Sequence, residues 1–149
     1  MEETFRTLRG FLAGEEPDEK TYFAYSATLR IFGDGVNFNE ITARLGLQPT
    51  TVHRKGEKPD PRHAGYRHDM WSYTPSLDKA RTLAEHIDAL WKDLKPHKGY
   101  LIGLKKSLEV DVFLGYRSNC DNAGIEVRYK SLEIYTELEI PFGVSIIIT

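Results

Sequence analysis

The sequence contains a single cysteine, Cys120, so no disulfide bond can form within the chain. Small secreted proteins with little core usually depend on such bonds. This chain has 149 residues, 40% of them hydrophobic, and is long enough to bury a core without them. A lone thiol without a bridge is typical of a reducing compartment, and we therefore expect a cytoplasmic protein.

Long apolar runs are also missing. No window approaches the roughly 20 apolar residues that a membrane helix needs. The first stretch, MEETFRTLRGFLAGEEPDEK, lacks the basic start and apolar run of a secretory signal. We expect residues 1–20 to be a leader and linker, with a short helix over 1–12, and residues 21–149 to form one α+β domain. The sequence predicts no membrane partner.

Neither sign of charge dominates, since the formal net charge is −2. That balance argues against a protein that coats nucleic acid, so we expect no nucleic-acid partner. The charge is uneven along the chain, however. Residues 41–107 carry 13 Lys and Arg against 7 Asp and Glu. This middle part is where an anionic ligand would be attracted.

Recognisable catalytic and metal-binding motifs are absent as well. The GDG turn at 33–35 lacks the Lys-Ser/Thr ending of a phosphate-binding loop, and no Gly-x-Ser-x-Gly motif marks a serine nucleophile. Cys120 lies in SNCDNAG, which is typical of a polar turn. His63 and His68 are five residues apart across a loop, which does not match the spacing of zinc ligands. We expect no cofactor and no metal, and a binding function in preference to an enzyme.

What is present is a mixture of strands and helices. Residues 21–33 are rich in β-branched and aromatic residues and predict a strand. Ser76 and the apolar stripe that starts at Ala80 predict a long helix that ends at Pro96. Arg81 with Glu85 and Asp88 with Lys92 are expected to form i,i+4 pairs on its exposed side. The other predicted elements are a helix capped by Asn37 and stopped by Gly46, a helix over 97–106, a helix over 129–140, and strands over 50–55, 68–74, 108–116, 125–127 and 144–149.

This order, with connections long enough for crossovers, predicts a two-layer α+β sandwich in which a long helix packs on one face of a ferredoxin-like sheet. On that helix we expect Leu83, Ile87 and Trp91 to be buried. Both ends of the chain have the pattern strand, glycine turn, short helix, strand. The repeated pattern indicates an internal duplication.

Four stretches carry a resemblance to a known family. They are YSATLRIFGDGVNFNEITARLGLQPTTVHRKGE, DMWSY, EHIDALWKDL and VDVFLGYRSN. Over roughly residues 22–148 the chain resembles the bacterial family catalogued as domain of unknown function 4279. The resemblance implies a compact α+β domain and implies no activity. The chain departs from it at the closing strand, where the resemblance leads us to expect an acidic residue and the sequence has VSIIIT.

One segment, VHRKGEKPDPRHAGYRHDMWSY at 52–73, holds three of the five histidines together with five Lys and Arg. A strand end beside a loop is a common ligand location. Its cations could bind a carboxylate or phosphate. Asp111, which has the opposite charge, is expected to contact the same loop across the sheet. The candidate ligand-binding residues are His53, Arg54, Lys55, Arg67, His68, Trp71 and Asp111. The alternative is a solvated basic rim with Trp71 in the core.

These features favour a non-catalytic binding or interaction module whose partner is another protein or a small anion. An immunity-type or regulatory protein is one form of it, and a homodimer is compatible with the sequence. The alternative is an anion sensor or enzyme that uses the region from His53 to Trp71. Geometry separates the two: a concave pocket formed by that region favours the sensor, and an exposed apolar patch elsewhere favours the module.

Overall fold

The computed structural model describes residues 21–149, so the expected leader and linker, with their helix over 1–12, lie outside the described residues. The described strands are β1 (Phe23–Gly33), β2 (Thr51–His53), β3 (Asp69–Tyr73), β4 (Glu109–Ser118) and β5 (Val144–Ile148). The helices are α1 (Phe38–Leu45), α2 (Leu83–Leu94), α3 (Lys98–Leu104) and α4 (Glu133–Leu138), with 3₁₀ turns at Lys95–His97 and Tyr129–Leu132.

The five strands form one mixed sheet in the order β2-β3-β1-β4-β5. β1 pairs antiparallel with β3 and with β4, and β2 pairs antiparallel with β3. This β-α-β-β-α-β arrangement is the ferredoxin-like one that the sequence predicts. β5 is added at the edge, parallel to β4, after a crossover through α4. The α+β class is confirmed, and the internal duplication stays a prediction.

All the helices of the described chain contribute to a core on one face of the sheet. β1 alternates buried and partly exposed residues, because successive side chains of a strand point to opposite faces. Its buried side chains join those of β3, β4 and the helices in one cluster. The sheet members of that cluster are Tyr25, Ala27, Leu29, Ile31, Trp71, Val110, Val112, Leu114 and Tyr116. The residues that alternate with these along each strand point to the opposite face of the sheet.

Helix α1 begins and ends where the sequence indicates. The Asn37 side chain accepts a hydrogen bond from the backbone N–H of Glu40, which satisfies a donor that the first turn leaves free. Gly46 ends the helix with φ 66°, a left-handed conformation that glycine adopts without steric cost. Ile41 and Leu45 face the core. The local capping signals were therefore sufficient to predict where this helix begins and ends.

The start of the long helix α2 was predicted wrongly. Ser76 does not cap it, and Ala80, expected on its apolar stripe, is exposed. The helix begins at Leu83, because Thr82 and Glu85 form a capping box in which each side chain accepts from the other residue's backbone N–H. Two capping signals lie six residues apart here, and the reciprocal one wins. Buried Leu83, Ile87 and Trp91 confirm the predicted core face.

Two smaller expectations were also wrong. Residues 125–127 form no strand, and Ile125 and Val127 instead pack against the core from a loop. Asp88 was expected to pair with Lys92 on the exposed side of α2, but its carboxylate contacts Arg128. The other expected pair on that helix, Arg81 with Glu85, is present with an N–O distance of 2.8 Å. Within residues 21–149, no helix combines the length and apolar character of a membrane span.

Trp91 ties α2 to the C-terminal helices, and its removal tests the core. The side chain is 8% exposed, and its indole N–H donates to Glu133 at 2.7 Å. We expect Trp91→Ala to lower the free energy of unfolding by about 3–5 kcal/mol, since it leaves a cavity and removes the hydrogen bond to Glu133. Trp91→Phe keeps most of the buried ring and should lose clearly less. Urea denaturation of both variants measures this, and a loss below about 1 kcal/mol for Trp91→Ala would contradict the packing.

His86 is buried on α2 with 2% of its surface exposed. Burial lowers its pKa below the ordinary value of 6.5, because the charged ring loses hydration. The backbone carbonyls of Asp78 and Lys79 and the nearby acids oppose this shift less strongly. At a pH above that ordinary value the ring is neutral in both the folded and the unfolded state, so its ionisation does not change the stability of the protein. Below it the unfolded chain takes up the proton first, so acid lowers stability.

The protein should therefore lose stability as the pH falls from about 7.5 towards 5. In His86→Gln, part of that loss should disappear, because glutamine stays neutral throughout the range. His68→Gln is the matched control, since the side chain of His68 is exposed. Melting temperatures measured across this pH range test the prediction. Identical slopes for wild type and His86→Gln would show that His86 does not cause the acid sensitivity.

Candidate functional site

The basic loop between β2 and β3 is organised around one buried carboxylate, Asp69. It is 7% exposed and accepts hydrogen bonds from the backbone N–H groups of Lys55 at 2.9 Å and Val36 at 3.2 Å. The Arg54 guanidinium donates to it at 3.0 Å. The Lys55 N–H is the main cause that holds the pKa of Asp69 below its ordinary value; burial opposes it, and Val36 and Arg54 add to it. Asp69 thus joins both ends of the loop to the turn after β1.

Arg54 serves the fold in this arrangement. Besides Asp69, its guanidinium donates to the carbonyl of Val36 at 2.8 Å and lies 3.9 Å from the ring centroid of Phe38. Hydrogen bonds and a cation–π contact thus engage the side chain that was expected to bind an anion. Lys55 keeps its ammonium exposed, 3.8 Å from Asp34. One of the three cations predicted to bind an anion, Arg54, is therefore already paired with a carboxylate of the same chain.

The rest of the loop is closed by stacked rings. His53, at the end of β2, stacks on Tyr66 with 3.5 Å between ring centroids and 5° between planes, and His63 lies 4.8 Å from the same ring. Burial lowers the pKa of His53. Gly56 donates its N–H to the carbonyl of Tyr66 at 2.8 Å, and this hydrogen bond joins the beginning of the loop to its end. The histidines therefore act as packing groups here.

The structure does not bring all of the predicted site residues together. Trp71 is fully buried and donates its indole N–H to Thr42 at 3.1 Å, so it is a core residue and not a ligand wall. Arg67 and His68 are exposed at the end of the loop, directly before β3. The expected contact between Asp111 and the loop is wrong: both of its oxygens pair with Arg30. Among residues 21–149 no group of three or more His, Cys, Asp or Glu is placed to hold a metal ion.

Arg30 and Asp111 lie instead on the sheet face that the helices leave open. They are registered partners on β1 and β4, and the guanidinium makes two hydrogen bonds to the carboxylate, at 2.8 and 2.6 Å. The same guanidinium lies 4.7 Å from the ring centroid of Phe113 and 5.7 Å from that of Phe32. A planar, bidentate pair between two rings is a rigid, preorganised surface.

Two shallow clefts flank Phe113 on this face. One, of ≈ 310 Å³, runs from Arg30 and Asp111 to the loop before β5, where Phe142 is 49% exposed. The other, of ≈ 250 Å³, lies over Gly115 between β1 and β5. A side chain at Gly115 would approach the Ser26 hydroxyl to 2.5 Å, so only glycine keeps this floor open without a shift. Phe113 thus stands between two depressions of the open sheet face.

We call Arg30, Asp111, Phe113 and Phe142 the open-face patch. Alternation along β4 places Asp111 and Phe113 on one face of that strand, but the sequence alone did not connect them with Arg30 or Phe142. The alternation of β1 puts Arg30 opposite the core-facing residues, and that was the available signal. The strand register that sets Arg30 against Asp111 depends on pairing between residues 81 positions apart. No local sequence pattern predicts this register.

Comparison with known proteins identifies the family of this chain. The family model described as Domain of unknown function (DUF4279) matches residues 21–149. The chain belongs to this family. No curated protein and no solved structure matches it. The DUF4279 match spans all the described residues and confirms the resemblance in the sequence, and its description names no activity.

Asp69 gives a direct test of the loop's organisation. Asp69→Ala removes the acceptor shared by Val36, Arg54 and Lys55, so the loop should open locally far more often. We expect trypsin to cut within residues 55–67 several-fold faster than in wild type. Asp78→Ala is the matched control, because that carboxylate accepts a hydrogen bond from the Ala80 N–H in a turn outside the loop, and it should leave cleavage within residues 55–67 unchanged. Equal cleavage rates for wild type and Asp69→Ala would show that the loop is held by other contacts.

Proposed function

We propose that this domain is a non-catalytic binding module that takes a protein partner on the open-face patch. The observation that carries the proposal is the exposed ring of Phe113, 36% accessible, beside a fixed Arg30–Asp111 pair and between two clefts. Aromatic and arginine side chains in such positions are enriched among the residues that dominate protein–protein binding energy.

The patch has the composition of a small interface. Phe113 and Phe142 supply apolar area on either side of the larger cleft, and the ion pair supplies a polar rim with its hydrogen bonds already made. A preorganised pair loses little conformational entropy when a partner covers it. The clefts on both sides of Phe113 fit two apolar side chains of a partner better than one compact ligand.

The alternative, a small-anion sensor in the basic loop, has less support. Arg54 is engaged by Asp69, and Trp71 offers no surface because it is fully buried. Arg67 and His68 are exposed without converging on Asp111, whose carboxylate Arg30 holds. An anion that bound Arg54 would have to displace the hydrogen-bonded carboxylate of Asp69. The apolar surface of the open face therefore favours a protein partner.

A photo-crosslinking amino acid at position 113 tests the proposal in cells. We expect a discrete adduct with one protein, and no such adduct when the crosslinker replaces Tyr129, an aromatic residue that is 79% exposed elsewhere. With the partner purified, Phe113→Ala should weaken binding by about 30-fold, as for a hot-spot side chain of about 2 kcal/mol. Tyr129→Ala should bind like wild type.

Two results would contradict the open-face patch as the binding site. One is unchanged affinity of Phe113→Ala for the partner. The other is a rise in melting temperature with phosphate or small carboxylates that disappears in Arg67→Ala, because ligands stabilise the state they bind. The second result would move the function to the basic loop.

A further inference from the structure

The β5 edge of the sheet is uncharged and apolar. Strand β5, Val144–Ile148, is the last in the strand order, and no described element lies beyond it. Its last three residues, Ile146, Ile147 and Ile148, are 58%, 45% and 47% exposed. Three consecutive isoleucines at a strand edge place apolar area on both faces and favour further pairing.

The backbone of β5 also has groups that point away from the sheet. The N–H of Thr149 donates to the carbonyl of Ser118 at 2.9 Å, so residues 145, 147 and 149 turn their N–H and C=O groups towards β4. In a parallel pair the direction alternates from residue to residue. The N–H and C=O groups of Val144, Ile146 and Ile148 therefore point outward, along the edge.

The two edges of the same sheet differ in a way that singles out β5. The other edge strand, β2, has three residues, Thr51–His53, and runs directly into Arg54 and Lys55. Short length and nearby cations are devices that keep an edge from pairing with another chain. Strand β5 is longer, has no charged residue, and contains no proline or glycine.

We propose that β5 pairs antiparallel with β5 of a second copy of this chain, about a two-fold axis at Ile146. This register sets Ile146 opposite its own copy, Val144 opposite Ile148, and Ser145 opposite Ile147. The outward groups of Val144, Ile146 and Ile148 then form three reciprocal pairs, in which each residue donates one N–H and accepts at one C=O. Two five-stranded sheets join into one of ten strands.

Self-complementarity is what selects a second copy as the occupant. A two-fold interface brings β5 against the same strand of the second copy, so a charge at the axis position 146 would face a like charge. The strand carries none, and every opposed pair in this register is aliphatic except the one with Ser145. The axis is perpendicular to the sheet, so the open-face patches of the two copies lie on the same side.

Sedimentation equilibrium of the full chain is the primary test. Two short strands form an interface below about 1,200 Å², the class of weak, reversible dimers, so about 5–500 µM should span the transition from monomer to dimer. Ile146→Lys places two ammonium groups at the axis and should raise the dissociation constant at least tenfold. Val52→Lys is the matched control, because Val52 is 43% exposed on the opposite edge strand, and it should dimerise like wild type.

A charge-swap experiment separates pairing from any loss of folding. Ile146→Lys and Ile146→Glu alone should each be monomeric, whereas their equimolar mixture should form a heterodimer, since opposite charges then meet at the axis. A monomeric wild type over the whole concentration range would overturn the proposal. So would a dimer that Ile146→Lys leaves unchanged, or a variant mixture that stays monomeric while each variant keeps the circular dichroism spectrum of wild type. Phe113→Ala should leave dimerisation unchanged, so the proposal does not depend on the open-face function.

Discussion

The alternation of strand β1 is the constraint on which the rest of the structure depends. β1 is paired along its length with β4 and, at its second half, with β3, so its two faces become the two faces of the sheet. Leu29 and Ile31 are fully buried under the helix layer. The residue between them, Arg30, must then point to the open side. Its pairing with Asp111 follows from the register of the same two strands.

The basic loop shows that a run of cations in a sequence does not by itself indicate an anion-binding site. Its charge is balanced by a carboxylate at the start of the next strand, since Asp69 binds the Arg54 guanidinium and two backbone N–H groups. A long cationic loop needs such an anchor, because its backbone has few partners in a sheet or helix. Within the predicted ligand-binding segment, Asp69 fastens the loop to the turn after β1. The surface that we propose for binding lies on the sheet, where the aromatic residues are isolated in sequence.

The same sheet treats its two edges differently. β2 is short and followed by cations, whereas β5 is apolar and longer, and its outward backbone groups are free to pair in the described part of the chain. Natural sheets usually protect exposed edges. One edge of this sheet is protected and the opposite edge is not, which supports our proposal that β5 associates with another strand. The lack of charge on β5 is compatible with a two-fold contact. Binding on the open face and pairing at the edge are compatible, because edge pairing leaves both faces of the sheet uncovered.

The sequence by itself determined what local physics decides. The alternation over 21–33, the Asn37 cap with Gly46, and the apolar stripe of α2 predicted the elements, the α+β class and the ferredoxin-like sheet, because each depends on residues a few positions apart. The start of α2 was missed because two capping signals compete within six residues. The tertiary structure decided which charges meet and which side chains stay exposed. Arg30 meets Asp111 across 81 residues, and Trp71 is buried, because register and packing depend on the whole sheet.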